Sequence, residues 1–208
     1  MAIFNIFFSS CVLLLLTLSA RSSSGHPVPT LSTEKCSDCS SLFQGLLLNI
    51  TQLLDNDVVC YGIPSNKMVV KSRTETVLAC APNMTQNSSC MTQRNSTFNE
   101  SECMSNIMKD LAHYAAAIKS YLNSDLRSPK EEVALLSPTL GVIRSLRKNC
   151  SPVPDEEKDS SEEDAAQLWG DDTFSNRQEM CKMMRGFYVR TITINRAMGY
   201  MSSGDHRK

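Results

Sequence analysis

The sequence predicts an all-α fold, a long-helix four-helix bundle running up-up-down-down, with a long first crossover pinned by disulfides. Three observations predict it. Apolar residues recur at the helical period in four separate stretches. The connections between those stretches are long, short and long, so the second and third helices are antiparallel neighbours while the other two links can run back along a helix. Eight cysteines remain after an apparent leader is removed, an even number that suits a disulfide framework in an oxidising compartment.

The leader covers residues 1–24. An apolar run from Ile3 to about Leu18 ends in small residues, and its dense core from Cys11 to Leu18 is too short to span a bilayer. No second apolar run of about 18 residues follows, so the mature chain is expected to be secreted, extracellular and without membrane insertion. Five sequons support that compartment: Asn49, Asn83, Asn87, Asn95 and Asn99 each begin Asn-X-Ser/Thr, and the last four are crowded together. With 41% hydrophobic residues and a formal net charge of -1, nothing points to nucleic acid as a partner.

Residues 25–37 read as a flexible lead, and 38–201 as the helical domain. The first helix is expected at about 38–55, where Cys39, Phe43, Leu46, Ile50 and Leu53 form a stripe widened by Leu42, Leu47 and Leu54. Residues 57–102 lack a sustained helical period and read as a glycosylated, disulfide-pinned crossover, with a short strand or turn near Met68-Val69-Val70. The second helix is expected at 102–123 on Met104, Ile107, Leu111, Tyr114, Ile118 and Tyr121. Ser128-Pro129-Lys130-Glu131 then signals a helix start, with Ser as cap, Pro at the first position and Glu131 closing a capping box. The third helix, 129–149, carries Val133, Leu136, Leu140, Ile143 and Leu146, with a kink or break expected near Ser137 because Pro138 and Gly141 lie inside it. Ser151 to Asp172 is acidic and low in complexity, a solvated linker that ends at the only tryptophan, Trp169.

The fourth helix, 174–201, organises the rest. Met180, Met184, Phe187, Thr191, Ile194, Met198 and Met201 alternate spacings of four and three, which stacks them on one core-facing side. Arg185, Val189, Ile192 and Arg196 fall together on the opposite side. A strip of β-branched hydrophobes between two arginines is what protein interfaces favour, whereas its bland reading is a core that wraps further round a buried helix. Residues 202–208 form a short tail.

A search for chemistry is negative. His26, His113 and His206 sit in lead, helix and tail, none within H-E-x-x-H, and neither G-x-S-x-G nor a phosphate-cradling loop occurs. Cys36-Ser-Asp-Cys39 is a lone CxxC that lacks a second pair for zinc and a βαβ context for redox work. No catalytic, metal-binding or cofactor-binding residue is therefore assigned, and an enzyme is not expected.

At Phe187-Tyr-Val-Arg-Thr-Ile-Thr-Ile-Asn-Arg-Ala-Met-Gly-Tyr200 the chain closely resembles the interleukin-12 alpha subunit family. The resemblance continues in Ser128-Pro-Lys-Glu-Glu, Leu140-Gly-Val-Ile-Arg, Thr76-Val-Leu-Ala-Cys80, Asn87-Ser-Ser-Cys90 and Cys103-Met-Ser-Asn-Ile-Met-Lys-Asp-Leu. It implies a long-chain four-helix cytokine bundle, secreted in a heterodimer with a beta subunit shaped like a soluble receptor. It implies that Arg196 enters an acidic pocket of that subunit, with Ile192, Val189 and Arg185 around it, and that the pair engages interleukin-12-type receptor chains to drive T-cell and NK-cell responses of the interferon-gamma type. It places Phe174, with Trp169, where the family offers an aromatic to the signalling receptor. It also implies that Cys60 pairs with Cys181, Cys80 with Cys103, and Cys90 with Cys36 or Cys39. The leftover CxxC cysteine and Cys150 then either join each other or supply a bond to the beta subunit. The crossover holds one cysteine fewer than the mammalian pattern, and the divergence points to a non-mammalian member. The competing readings are a bundle cytokine acting alone and, from another class, a secreted helical lipid-binding protein.

Overall fold

A computed structural model describes residues 33–64, 74–81, 98–151 and 169–203. Six helices form there: α1 (Thr33–Asp55), α2 (Asp57–Cys60), α3 (Thr74–Ala79), α4 (Glu100–Leu122), α5 (Pro129–Cys150) and α6 (Thr173–Ser203). The leader, most of the lead, Met68-Val69-Val70, Cys90, the sequons at Asn83, Asn87 and Asn95, and most of the acidic linker and tail lie outside the described residues.

The four long helices close a ring of contacts, α1 to α6 to α4 to α5 and back to α1. Cross-links at their ends set the directions. Cys39, near the start of α1, is bonded to Cys150 at the end of α5, and Cys60, just past α1, is bonded to Cys181 in the first third of α6. Phe98, just before α4, meets Tyr200 near the end of α6, with ring centres 5.3 Å apart. Tyr121, at the end of α4, donates to Glu132 at the start of α5. So α1 and α4 run one way, and α5 and α6 the other.

The expected stripes line the interior of this ring. Phe43, Leu46, Ile50, Ile107, Leu111, Ile143, Leu146, Met184, Phe187, Ile194 and Met198 are all fully buried. Each such burial contributes roughly 1.5–3 kcal/mol. At the centre the Tyr114 ring stacks on Phe187, with ring centres 4.0 Å apart.

The structure corrects the sequence reading at several points. α1 begins at Thr33, inside the expected lead. The crossover contains two short helices where none was expected; Asn56 starts the first by accepting the Val58 N–H at 3.1 Å. α5 runs unbroken through Pro138 and Gly141. Ser137, Pro138 and the Ala134 carbonyl one turn back lie on its exposed side, where water can serve the carbonyl that proline leaves without a donor. Val133, placed in the core stripe, is exposed, and Glu132 takes the buried place beside it. Glu132 rather than Glu131 closes the cap, accepting the Ser128 N–H at 2.8 Å while Tyr121 donates to its other oxygen. Of the two alternatives left open for Cys150, the structure takes the bond to the CxxC member Cys39, so Cys150 is buried and not available to another chain. Cys80 is joined to Cys103, which ties the crossover to the start of α4.

The buried tyrosines make stability depend on alkaline pH. Burial, then the nearby Asp110 carboxylate, push the Tyr114 phenol from 10.0 up to about 12, with Arg190 opposing. Tyr121 also moves up, first through burial and then through its bond to Glu132. The folded chain holds these protons more tightly than the unfolded chain. Their contribution is complete below the ordinary phenol range and is lost as pH rises towards the folded values, by about 2 kcal/mol for Tyr114. Circular dichroism recorded alongside tyrosinate absorbance is expected to show helix loss and the ionisation of these two rings together. Full tyrosine ionisation with the helices intact would contradict this.

Candidate functional site

The outer face of α6 is the candidate site, and it is defined by what the other faces of that helix already hold. One face gives the core its methionines and Phe187. Towards α4, Arg190 is buried with its Nε 3.4 Å from Asp110 Oδ2. Towards α1, Asn195 donates to the Phe43 carbonyl at 3.0 Å and to Thr191 O of its own helix at 2.9 Å. Near its start, Arg177 donates to the carbonyls of Val59 and Tyr61, at 3.3 and 2.7 Å. What remains is the strip through Val189, Ile192 and Arg196. Val189 is 39% exposed, Ile192 is half-buried and Arg196 is exposed. Of the four residues that the helical wheel sets opposite the core stripe, the structure thus leaves Val189 and Arg196 exposed and Ile192 at the edge of the surface.

Arg185, expected in the same strip, is held elsewhere. Its guanidinium donates to the Pro64 carbonyl at 2.5 Å and to the Ile63 carbonyl at 3.1 Å, so it fastens the turn after α2 instead of standing free beside Val189. The long side chain reaches back towards the start of its helix, where that turn is locked by the Cys60–Cys181 bond. Trp169 is also corrected. Its indole is partly buried against the core, edge-on to Tyr121 with ring centres 5.1 Å apart, so it anchors the chain entering α6. Phe174, 52% exposed, is an aromatic on the surface at this end.

Of the described sequons, Asn99 is exposed and starts α4, its Oδ1 accepting the Glu102 N–H at 3.1 Å. That use of the oxygen leaves Nδ2, the atom a glycan joins. Asn49 is half-buried at the seam of α1 and α5, its Oδ1 accepting from the Thr139 hydroxyl at 2.5 Å.

The buried charged residues that the sequence reading missed are Arg177, Asp110 with Arg190, and Glu132. A signal existed for one of them. Asp110 sits on the line of Ile107, Tyr114 and Tyr121, a carboxylate within an apolar stripe, and such a group requires a cationic partner.

Among the described residues no group of His, Cys, Asp or Glu is placed to hold a metal ion, and no helix is long and apolar enough to cross a membrane. A disulfide-bonded bundle of four long helices is the architecture of the helical cytokines. The interleukin-12 alpha subunit family profile matches residues 6–204, nearly the whole chain. Among similar proteins, the interleukin-12 subunit alpha of Marmota monax is 28% identical over 203 residues, covering 85% of this chain and 86% of that protein. The Homo sapiens protein of the same name is 29% identical over 154 residues, 65% of this chain and 66% of that protein. The Felis catus one is 25% identical over 200 residues, 85% and 86%. The chain belongs to the interleukin-12 alpha subunit family, and is a cytokine subunit whose counterpart is a beta subunit.

Proposed function

We propose that this chain is a secreted, non-enzymatic cytokine subunit that binds its beta subunit through Val189, Ile192 and Arg196, and that the pair engages interleukin-12-type receptor chains to drive interferon-gamma-type responses of T cells and NK cells. The observation that carries the reading is the exposure of that strip on a helix whose other faces are all engaged. A guanidinium at the rim of a small apolar strip can enter an acidic pocket as a bidentate, desolvated pair. Phe174 faces the signalling receptor in the same reading. The support for that is its exposure at the opposite end of α6 from Arg196, which lets two proteins bind at once.

The cysteines bear on how the pair is held. With Cys39–Cys150, Cys60–Cys181 and Cys80–Cys103 closed, Cys36 and Cys90 are left, and in our reading they join each other. No thiol then remains for the beta subunit, and the heterodimer is noncovalent. Co-expression with a beta subunit is expected to give a complex on size exclusion that separates into two bands on a non-reducing denaturing gel. A single high-mass band that collapses on reduction would overturn the noncovalent reading. Efficient secretion of a receptor-active chain without any beta subunit would overturn the heterodimer itself.

A further inference from the structure

Where α1 ends and α6 begins, three side chains spaced one turn apart on α6 grip one short piece of chain. Arg177 takes the carbonyls of Val59 and Tyr61, Cys181 takes Cys60 covalently, and Arg185 takes the carbonyls of Ile63 and Pro64. Gly62, at φ +72, supplies the left-handed turn that brings these carbonyls round to one helix. Val59, Cys60 and Ile63 are buried by this arrangement, whereas Tyr61 is 61% exposed. A turn fixed at so many points holds its protruding residue still.

Arg177 does a second thing. It is 2% exposed, and its guanidinium carbon lies 5.4 Å from the centre of the Phe174 ring. One buried cation therefore fixes both Phe174 and the backbone of Tyr61. Single exposed hydrophobic residues are commonplace and need no explanation. An aromatic ring against a buried guanidinium, and a second on a turn whose backbone the same guanidinium holds, differ, because rings with restricted freedom lose little conformational entropy on binding and serve as interface anchors. Exposed Asp171 and Asp172 precede Phe174, and the Asp172 carboxyl is held below the usual range by the Ser175 hydroxyl and by the N–H groups of Phe174 and Ser175. Phe174 thus has negative charge beside it, which suits a partner with cationic groups around an apolar socket.

We propose that Tyr61 and Phe174, set in place by Arg177, form a two-ring docking site for the signalling receptor chain, whose complementary surface is an apolar socket flanked by Lys or Arg. The proposal rests on the reading that Phe174 meets that receptor. It adds Tyr61 as a second anchor and Arg177 as a positioning residue that lies against the Phe174 ring and holds the backbone of Tyr61.

The test uses the co-secreted heterodimer and the ectodomain of an interleukin-12-type receptor chain from the same species, with binding followed by surface plasmon resonance. Tyr61→Ala and Phe174→Ala are surface changes, and each is expected to weaken receptor binding by about thirtyfold while beta-subunit assembly is unchanged. Arg177→Lys keeps the charge and loses the forked grip on two carbonyls. In that background each alanine change is expected to cost several-fold less than in the wild type, which a merely destabilising change would not produce. Should Arg177→Lys fail to be secreted, the two alanine variants decide alone. Unaltered receptor binding by Phe174→Ala overturns the parent reading and the proposal with it. Loss with Phe174→Ala but full affinity with Tyr61→Ala overturns the proposal and leaves the parent reading standing. Loss of beta-subunit assembly in both assigns this end to the beta subunit and also overturns it.

Discussion

Asp110→Ala is expected to destabilise the chain by about 3–5 kcal/mol, because it leaves the Arg190 guanidinium buried between α4 and α6 without its carboxylate. A loss of that size is a large part of the roughly 5–15 kcal/mol that holds a domain of this size together, so secreted yield falls with it. The same physics predicts a different result when both charges go. Asp110→Leu combined with Arg190→Met replaces a desolvated ion pair with apolar groups of similar volume, a change that is often neutral or stabilising. Urea unfolding followed by circular dichroism is expected to place the double variant near the wild type and the single variant far below. A double variant as unstable as the single one would mean that the pair supplies net stability that packing cannot replace. Assembly with the beta subunit is expected to survive the double change, since Arg190 faces α4 and not the outer strip.

The division between what the sequence shows and what it hides follows from the range of the interactions. The four long helices are legible because each buries a stripe at a fixed period, and Cys39, Phe43, Leu46, Ile50 and Leu53 meet that condition without reference to anything distant. The outer strip of α6 is legible for the complementary reason, as a break in an otherwise polar face. What is hidden depends on partners far away in the chain. Arg185 looks like a surface arginine until the turn at Ile63 and Pro64 folds against it, more than a hundred residues earlier in sequence. Cys150 has two possible fates in the sequence, and only the packing that brings Cys39 to it across the bundle chooses between them. Glu132 replaces Val133 in the core because the Tyr121 hydroxyl and the Ser128 N–H satisfy both its oxygens, and no propensity scale reports that. Pro138 is tolerated because its side of α5 is wet, a fact of packing rather than of local sequence.

Arg196→Ala is expected to weaken beta-subunit binding by about 2–5 kcal/mol, which is roughly thirtyfold to several thousandfold in Kd, and mostly through faster dissociation. The change removes a charged fork from a pocket and leaves the opposing carboxylates unpaired, whereas Val189→Ala removes only part of a small apolar contact and is expected to cost about 1 kcal/mol. Arg196→Lys is expected to recover only part of the loss, because an ammonium cannot reproduce two parallel bonds to a carboxylate. Folding is expected to be indifferent to all three, since each alters an exposed position. The most direct test is the Kd of the Arg196→Ala chain for the beta subunit, measured beside its thermal unfolding midpoint. A large loss of affinity at an unchanged midpoint is the predicted result, and affinity equal to the wild type would contradict the assignment of this face.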